Sequence, residues 1–314
     1  MLRIGLKFPA AAVFAAICLA GCVSFPDAPP ATVAPSFEED GFHSIDGTVL
    51  AMQTWAAEDP RAIVVALHGM DDYSHMYEGP ASWWARERGV TTYALDQRGF
   101  GRSPNFGHWV GEDTMVADLR AAVAAARAKH PGLPVFVVGH SMGSGVILAA
   151  EAEAPLGADG IVLAAPGVWG GSALPVPYRL AANIAATFAP GKTLTGERAG
   201  RQATDNIDAL KEIVADPLYI KETRLDAILG VTRVMGSAYG GAKHVRGRIL
   251  FLMGEKDEII PLKAMEKTAM RLSGDVTVRR YPEGWHLLFR DLQARVVWRD
   301  VADWIERQTE PARE

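Results

Sequence analysis

Val135-Phe136-Val137-Val138-Gly139-His140-Ser141-Met142-Gly143-Ser144-Gly145-Val146-Ile147-Leu148-Ala149-Ala150 is the stretch from which the rest of the chain is read. Val135 to Val138 is a short apolar run, as expected of a strand buried on both faces. Ser144 to Ala150 is compatible with a helix, which the pattern extends over Ser141 to Glu153. Between them stands G-x-S-x-G. A serine on so sharp a strand-to-helix turn projects its hydroxyl, while the glycines remove side chains that would clash across the turn. The new helix also aims its first amides toward an anion. The competing reading, Ser141 as a simple helix cap, requires no chemistry.

Outward from this turn the chain alternates strands and helices. Phe42 to Ala56 reads as a hairpin turned at Asp46-Gly47. Apolar runs at Ala62 to Leu67, Val90 to Leu95, Gly160 to Ala164, Ile249 to Met253 and Val276 to Tyr281 read as further strands. Helical segments are expected at Pro80 to Arg88, Asp113 to Lys129, Leu262 to Leu272 and Leu292 to Arg307. Such alternation implies an α/β fold with a mainly parallel, doubly wound sheet and helices on both faces. Between the strand ending near Ala164 and the one starting near Arg248 lies a long stretch without strand rhythm. A structureless connection of that length is improbable in a compact domain. It is expected to be a helical lid inserted after the sixth strand, over the carboxyl edge of the sheet. The expected organisation is a core in two parts, 41–166 and 246–314, with the lid at 167–245.

A serine hydroxyl that attacks an acyl carbon needs a base, and the base needs an orienting acid. Asp257 follows the strand Ile249 to Met253, with Glu255 and Glu258 as rival acids. His286 is the only histidine after the strand ending at Tyr281. His68 reads as structural, His140 as pointing sideways from the elbow and His130 as a helix-end residue. His43, His75, His108 and His244 fall outside the expected strand-end group. The backbone N–H of Met70, after His68-Gly69, and that of Met142 are the expected oxyanion donors, an assignment resting on position alone.

His68-Gly69-Met70, Asp96-Gln97-Arg98-Gly99-Phe100-Gly101-Arg102-Ser103, Gly139-His140-Ser141-Met142-Gly143, Asp257 and His286 together resemble the α/β-hydrolase superfamily, in its monoacylglycerol lipase and lysophospholipase-like branch. The resemblance spans residues 42 to 307. It implies Ser141 as nucleophile, His286 as base and Asp257 as its partner, an acyl-enzyme route, and no metal or organic cofactor. The Asp96 to Ser103 loop then packs beside the site as a structural turn. Ser144 departs from the glycine usual in that group, a small change of fit. Tyr178, Ile184 and Phe188 are expected on an apolar lid stripe that either meets the acyl chain of a lipid-like ester or packs the lid onto the body. The alternatives are a peptidase of the proline-iminopeptidase type, which needs lid acids such as Glu197, Asp205, Asp208, Glu212 and Asp216, and a small-ester carboxylesterase. A non-catalytic binding module is a fourth reading, against which the complete set of catalytic residues argues.

The 314 residues carry 32 basic and 37 acidic side chains, a net charge of −5, with 49% hydrophobic residues. This supports a sizeable core and lacks the basic footprint of a nucleic-acid binder. The two cysteines, Cys18 and Cys22, form neither a disulfide framework nor a zinc pattern. Arg3 and Lys7 precede an apolar run from Phe8 to Ala20, about 13 residues and roughly 20 Å as a helix, too short for a bilayer core of about 30 Å. That reads as a secretory signal over residues 1–21. Leu19-Ala20-Gly21-Cys22 resembles a bacterial lipobox, which implies acylation of Cys22 and attachment to the cell envelope. Val23, rather than Asp, at the next position implies the outer membrane by the same resemblance. Pro26, Pro29, Pro30 and Pro35 make residues 22–40 an expected extended tether. The sequence leaves the oligomeric state, head group and acyl length open.

Overall fold

The computed structural model describes residues 23–195 and 200–309, so the expected signal and Cys22 lie outside the described residues. Along the chain, β1 (Ser36–Glu38), β2 (Gly41–His43) and β3 (Val49–Leu50) form a small antiparallel ribbon. β4 (Met52–Trp55), β5 (Ala62–Leu67), α1 (Glu78–Arg88), β6 (Val90–Leu95), α2 (Glu112–Lys129), β7 (Val135–His140), α3 (Met142–Glu153) and β8 (Gly160–Ala164) follow. An insertion holds α4 (Val176–Phe188), β9 (Thr193–Thr195), α5 (Ile207–Ala215), β10 (Glu222–Arg224) and α6 (Leu225–Gly241). β11 (Arg248–Gly254), α7 (Leu262–Ala269), β12 (Asp275–Tyr281) and α8 (Ala294–Thr309) complete it.

The main sheet runs β12-β11-β8-β7-β5-β6-β4, with β4 antiparallel to β6 and every other pairing parallel. Every side chain of β5, β6, β7 and β8 is buried, which is why these strands read as mainly apolar runs, with Thr91 and Thr92 of β6 and His140 of β7 as the polar exceptions. Alternate residues of β5 serve the two faces. Ile63, Val65 and Leu67 join the core under α2, α3, α6 and α7, whereas Val64 and Ala66 pack with Trp84 of α1 and Trp304 of α8. The result is helices on both faces of a mainly parallel sheet, an α/β-hydrolase architecture.

Three expectations are modified. The hairpin turns at Asp46-Gly47, with Gly47 at φ +79°, but its second arm breaks at Ala51. β3 stays with the ribbon while β4 pairs with β6, Met52 opposite Leu95. The insertion therefore follows the fifth strand of the main sheet, or the sixth when both hairpin arms are counted. It is also not wholly helical, because β9 and β10 form a two-stranded antiparallel ribbon. Finally, the described part of the expected tether is laid on the body. Thr32 and Val33 donate to the Ile45 carbonyl, Ser36–Glu38 is a strand, and the Phe25 ring lies 6.3 Å from that of Trp109. A proline-rich stretch has little conformational freedom to lose on docking, so a few apolar contacts suffice to hold it.

The Asp96 to Ser103 loop is structural, as expected. Arg98 is buried and makes paired bonds to Asp46 and Asp118, tying the N-terminal ribbon to α2. Asp96 accepts from the amides of Ser74 and Arg102, which fixes the segment leading away from β5.

Candidate active site

Parallel pairing puts the carboxyl ends of β5, β7, β11 and β12 along one edge: Gly139 lies beside Leu67, His140 beside Ala164, Leu252 beside Ala164 and Gly254 beside Tyr281. The chain then passes from strand to helix in a sharp turn. Ser141 sits at φ +49°, ψ −113°, a conformation rarely adopted by residues with a Cβ. The flanking glycines are required by space. A Cβ on Gly139 would lie 2.5 Å from the Ser144 nitrogen, and one on Gly143 2.3 Å from the Leu67 carbonyl oxygen. Ser144, the departure from the expected glycine, is buried and donates its hydroxyl back to the Gly139 carbonyl at 2.7 Å.

Three side chains meet at this edge. His286 Nε2 lies 3.0 Å from Ser141 Oγ, and His286 Nδ1 lies 2.8 Å from Asp257 Oδ2. The second Asp257 oxygen accepts the amides of Ile259 and Ile260 at 2.8 and 2.9 Å. Burial alone would raise the Asp257 carboxyl. The adjacent His286 ring and the two amides outweigh it, so the group stays below its ordinary value and ionised. A carboxylate on Nδ1 fixes the tautomer that leaves Nε2 free to accept the serine proton. The loop bearing His286 approaches closely because β11 ends in glycine: a Cβ on Gly254 would lie 2.4 Å from the Trp285 carbonyl oxygen. Glu255 instead pairs with Arg280, and Glu258 accepts the Gln202 amide. Neither rival acid is the one bonded to His286. Ser141 and His286 are only 5% and 6% exposed, so charge developing between them would be weakly screened.

Two local features bear on the expected oxyanion donors. Met142 opens α3, so its amide has no carbonyl one turn earlier within the helix. Gly69, directly before Met70, comes so near Ser141 that an added Cβ would lie 3.3 Å from Ser141 Cβ. Asp71 and Asp72 extend this loop under cover. Burial pushes Asp71 up to about 6 and Asp72 up to about 7.

Two other imidazoles lie nearby and are held neutral. His68 bonds the Gly69 carbonyl through Nδ1 and takes the Gln97 amide on Nε2, a structural role, and burial lowers it to about 4. His140 is lowered to about 3, first by burial and then by His286, and its Nε2 donates to the His286 carbonyl at 2.9 Å. That bond ties the elbow to the histidine loop. Sequence reading missed it, since nothing local to His140 points to a residue 146 positions away. It also missed Asp291, which accepts the Trp285 amide and the Thr204 hydroxyl and so braces the same loop. His43, His75 and His130 bond to Asp40, Glu212 and Tyr93, and His108 and His244 are exposed.

The lid residues sit elsewhere. Tyr178, Ile184 and Phe188 lie on α4, where Ala186 is the one buried residue, and all three face outward; Phe188 is 69% exposed. Of the two readings of this stripe, packing onto the body is limited to the Tyr178 ring lying 6.4 Å from that of Trp169, and the stripe forms an outer apolar face together with Val176 and Leu180.

Known proteins resemble this chain along most of its length. The family model described as serine aminopeptidase, S33 matches residues 58–293. The monoacylglycerol lipase of Mycolicibacterium smegmatis is 29% identical over 280 residues, covering 87% of this chain and 98% of its own length. The human monoglyceride lipase is 26% identical over 275 residues, covering 85% and 90%. A solved soluble variant of the monoglyceride lipase of Saccharomyces cerevisiae, in complex with a substrate analogue, has the same fold with a TM-score of 0.73. It is 19% identical and covers 91% of this chain and 100% of its own.

The strain at Ser141 can be measured apart from chemistry. Ser141→Ala keeps the Cβ and should fold with near-unchanged stability, whereas Ser141→Gly should exceed the alanine variant by about 1 kcal/mol in urea unfolding. Both should lose at least about 10⁴-fold in ester hydrolysis. A glycine variant clearly less stable than the alanine one would show that the turn is unstrained.

Proposed function

The chain belongs to the serine aminopeptidase, S33 family of hydrolases, and from that premise we propose that it cleaves carboxylic esters of lipid-like substrates, monoacylglycerols or lysophospholipids, through an acyl-enzyme on Ser141. The observation that carries this reading is the unbroken series Ser141 Oγ, His286 Nε2, His286 Nδ1, Asp257 Oδ2 at bonding distances. As Oγ attacks the ester carbonyl, His286 takes its proton and Asp257 stabilises the resulting imidazolium. The amides of Met70 and Met142 hold the tetrahedral oxyanion, a contribution of about 10²–10³ in turnover for each such donor. His286 then protonates the departing alcohol. A water activated by the same imidazole releases the acid and restores the serine. Every proton is carried by this chain's own groups.

Several features favour a lipid-like ester over a peptide. The names of the two sequence relatives specify acylglycerols. The outer face of α4 offers Val176, Tyr178, Leu180, Ile184 and Phe188 to its surroundings, with Arg179 as its one charged residue. The acids that an amine-recognising lid would need are engaged otherwise. Asp205 accepts the Leu292 amide, Asp208 pairs with Lys211, Glu212 bonds His75 and Arg290, and Asp216 accepts the Tyr73 hydroxyl. Glu197 lies outside the described residues.

In the same reading Cys22 is acylated after removal of residues 1–21, and the protein is held on the outer membrane by its acyl chains, each buried methylene contributing about 0.8 kcal/mol. Among the described residues no helix is long and apolar enough to cross a membrane.

A hydrolysis panel tests the substrate assignment: monoacylglycerols, a lysophospholipid, a short nitrophenyl ester and a prolyl anilide. The expected ranking has a long-chain acylglycerol or lysophospholipid first by at least tenfold in kcat/KM, and the anilide untouched. A preferred anilide would establish the peptidase, and a preferred short ester the carboxylesterase. Cys22→Ser should leave an active enzyme in the soluble fraction, and membrane retention of that variant would refute the acyl anchor.

A further inference from the structure

The segment immediately after Cys22 is fastened to the active-site end of the fold. Arg233, on α6, donates to the Val23 carbonyl at 2.6 Å, and its guanidinium lies 5.2 Å from the centre of the Phe25 ring. Phe25 meets Trp109 edge to face. Gly111 permits this approach, since a Cβ there would lie 2.8 Å from the Pro26 carbonyl oxygen. On the other side the Trp109 indole presses on α6 at Gly230, where a Cβ would lie 2.3 Å from Trp109 Nε1. Trp109 is thus a buried wedge between strap and helix.

The same wedge borders the loop that carries Met70. Met70, Asp71, Trp109, Ile220, Thr223 and Ala227 all line one cavity of about 10 Å³, at the lower limit for a single water. So little free volume means that a displaced indole shifts its neighbours instead of being absorbed. Asp71 needs such support. It sits at φ +63°, next to Met70, and is restrained by the Ile220 amide on its carbonyl and the Thr223 hydroxyl on its carboxylate. Thr223 stands just before α6, the helix that the strap holds at Arg233. Both routes from the strap end on the residue after Met70.

We propose that Val23–Pro26 is a positioning element for the oxyanion donor: by clamping Trp109 and α6 it holds the Met70–Asp71 loop in the geometry that aims the Met70 amide. Phe25 and Arg233 are positioning residues and touch no substrate. The inference rests on the hydrolase reading above, and places the membrane anchor and the oxyanion loop at two ends of one packed strap.

The test is steady-state kinetics on a short, water-soluble nitrophenyl ester, with labelling by a fluorophosphonate probe, using the full chain well below its unfolding temperature. Phe25→Ala and Arg233→Ala should each lower kcat and the labelling rate about tenfold, with KM changed less than twofold, since a misdirected oxyanion donor costs turnover. The double variant should be little worse than either single one, because both release the same strap. Phe25→Leu, which keeps the apolar contact, should recover most of kcat. If Phe25→Ala does not fold, Arg233→Gln replaces it, keeping most of the stem while losing the charge. Folded variants with lowered thermal stability but unchanged kcat and labelling would overturn the proposal and leave the hydrolase reading standing. A wild-type protein that neither labels nor hydrolyses would overturn both.

Discussion

At Ser141 the chain must leave a buried strand and enter a helix within one residue. It can do so only because no side chain occupies Gly139 or Gly143, and because Gly69 on the neighbouring strand end gives way as well. The strained backbone that results, φ +49°, turns the hydroxyl toward His286 at the sheet edge. Everything else at the site is arranged around that turn. Parallel pairing delivers the acid and the histidine to the same edge, glycine at the end of β11 lets their loops approach, and His140 ties the elbow to the His286 carbonyl. A strained serine held by a packed scaffold is the arrangement expected where geometry is retained for chemistry.

Burial sorts the three neighbouring imidazoles into different tasks. His68 and His140 have each given a nitrogen to a backbone carbonyl and are held neutral by desolvation, so they act as struts. His286 alone has a carboxylate on one nitrogen and a hydroxyl on the other. The same residue type is therefore made structural or proton-carrying by its partners, as desolvation and hydrogen bonding dictate.

Much of the fold was legible because its strands are buried on both faces. Ala62–Leu67, Val90–Leu95 and Gly160–Ala164 run to the same ends in sequence and structure. Position at strand ends singled out Ser141, Asp257 and His286, which the structure brings within bonding distance. What stayed hidden depends on non-local contact. β9 and β10 are three residues each, too short for a periodicity to register. The strap carries the proline-rich composition of a free linker, and only the encounter of Phe25 with Trp109 and Arg233 makes it part of the body. The α4 stripe has helical spacing, but spacing does not say which way a helix faces, and here Tyr178, Ile184 and Phe188 face out.

The central claim is a covalent one: the hydroxyl at the strained turn carries the acyl group between the two halves of the reaction. Its most direct test is rapid acid quench of the enzyme with an excess of a nitrophenyl ester, followed by mass analysis of peptides. The account predicts a burst of nitrophenol close to one equivalent and an added acyl mass on the peptide containing Ser141. A linear time course with no acylated peptide, or an acyl group trapped on another residue, would contradict it.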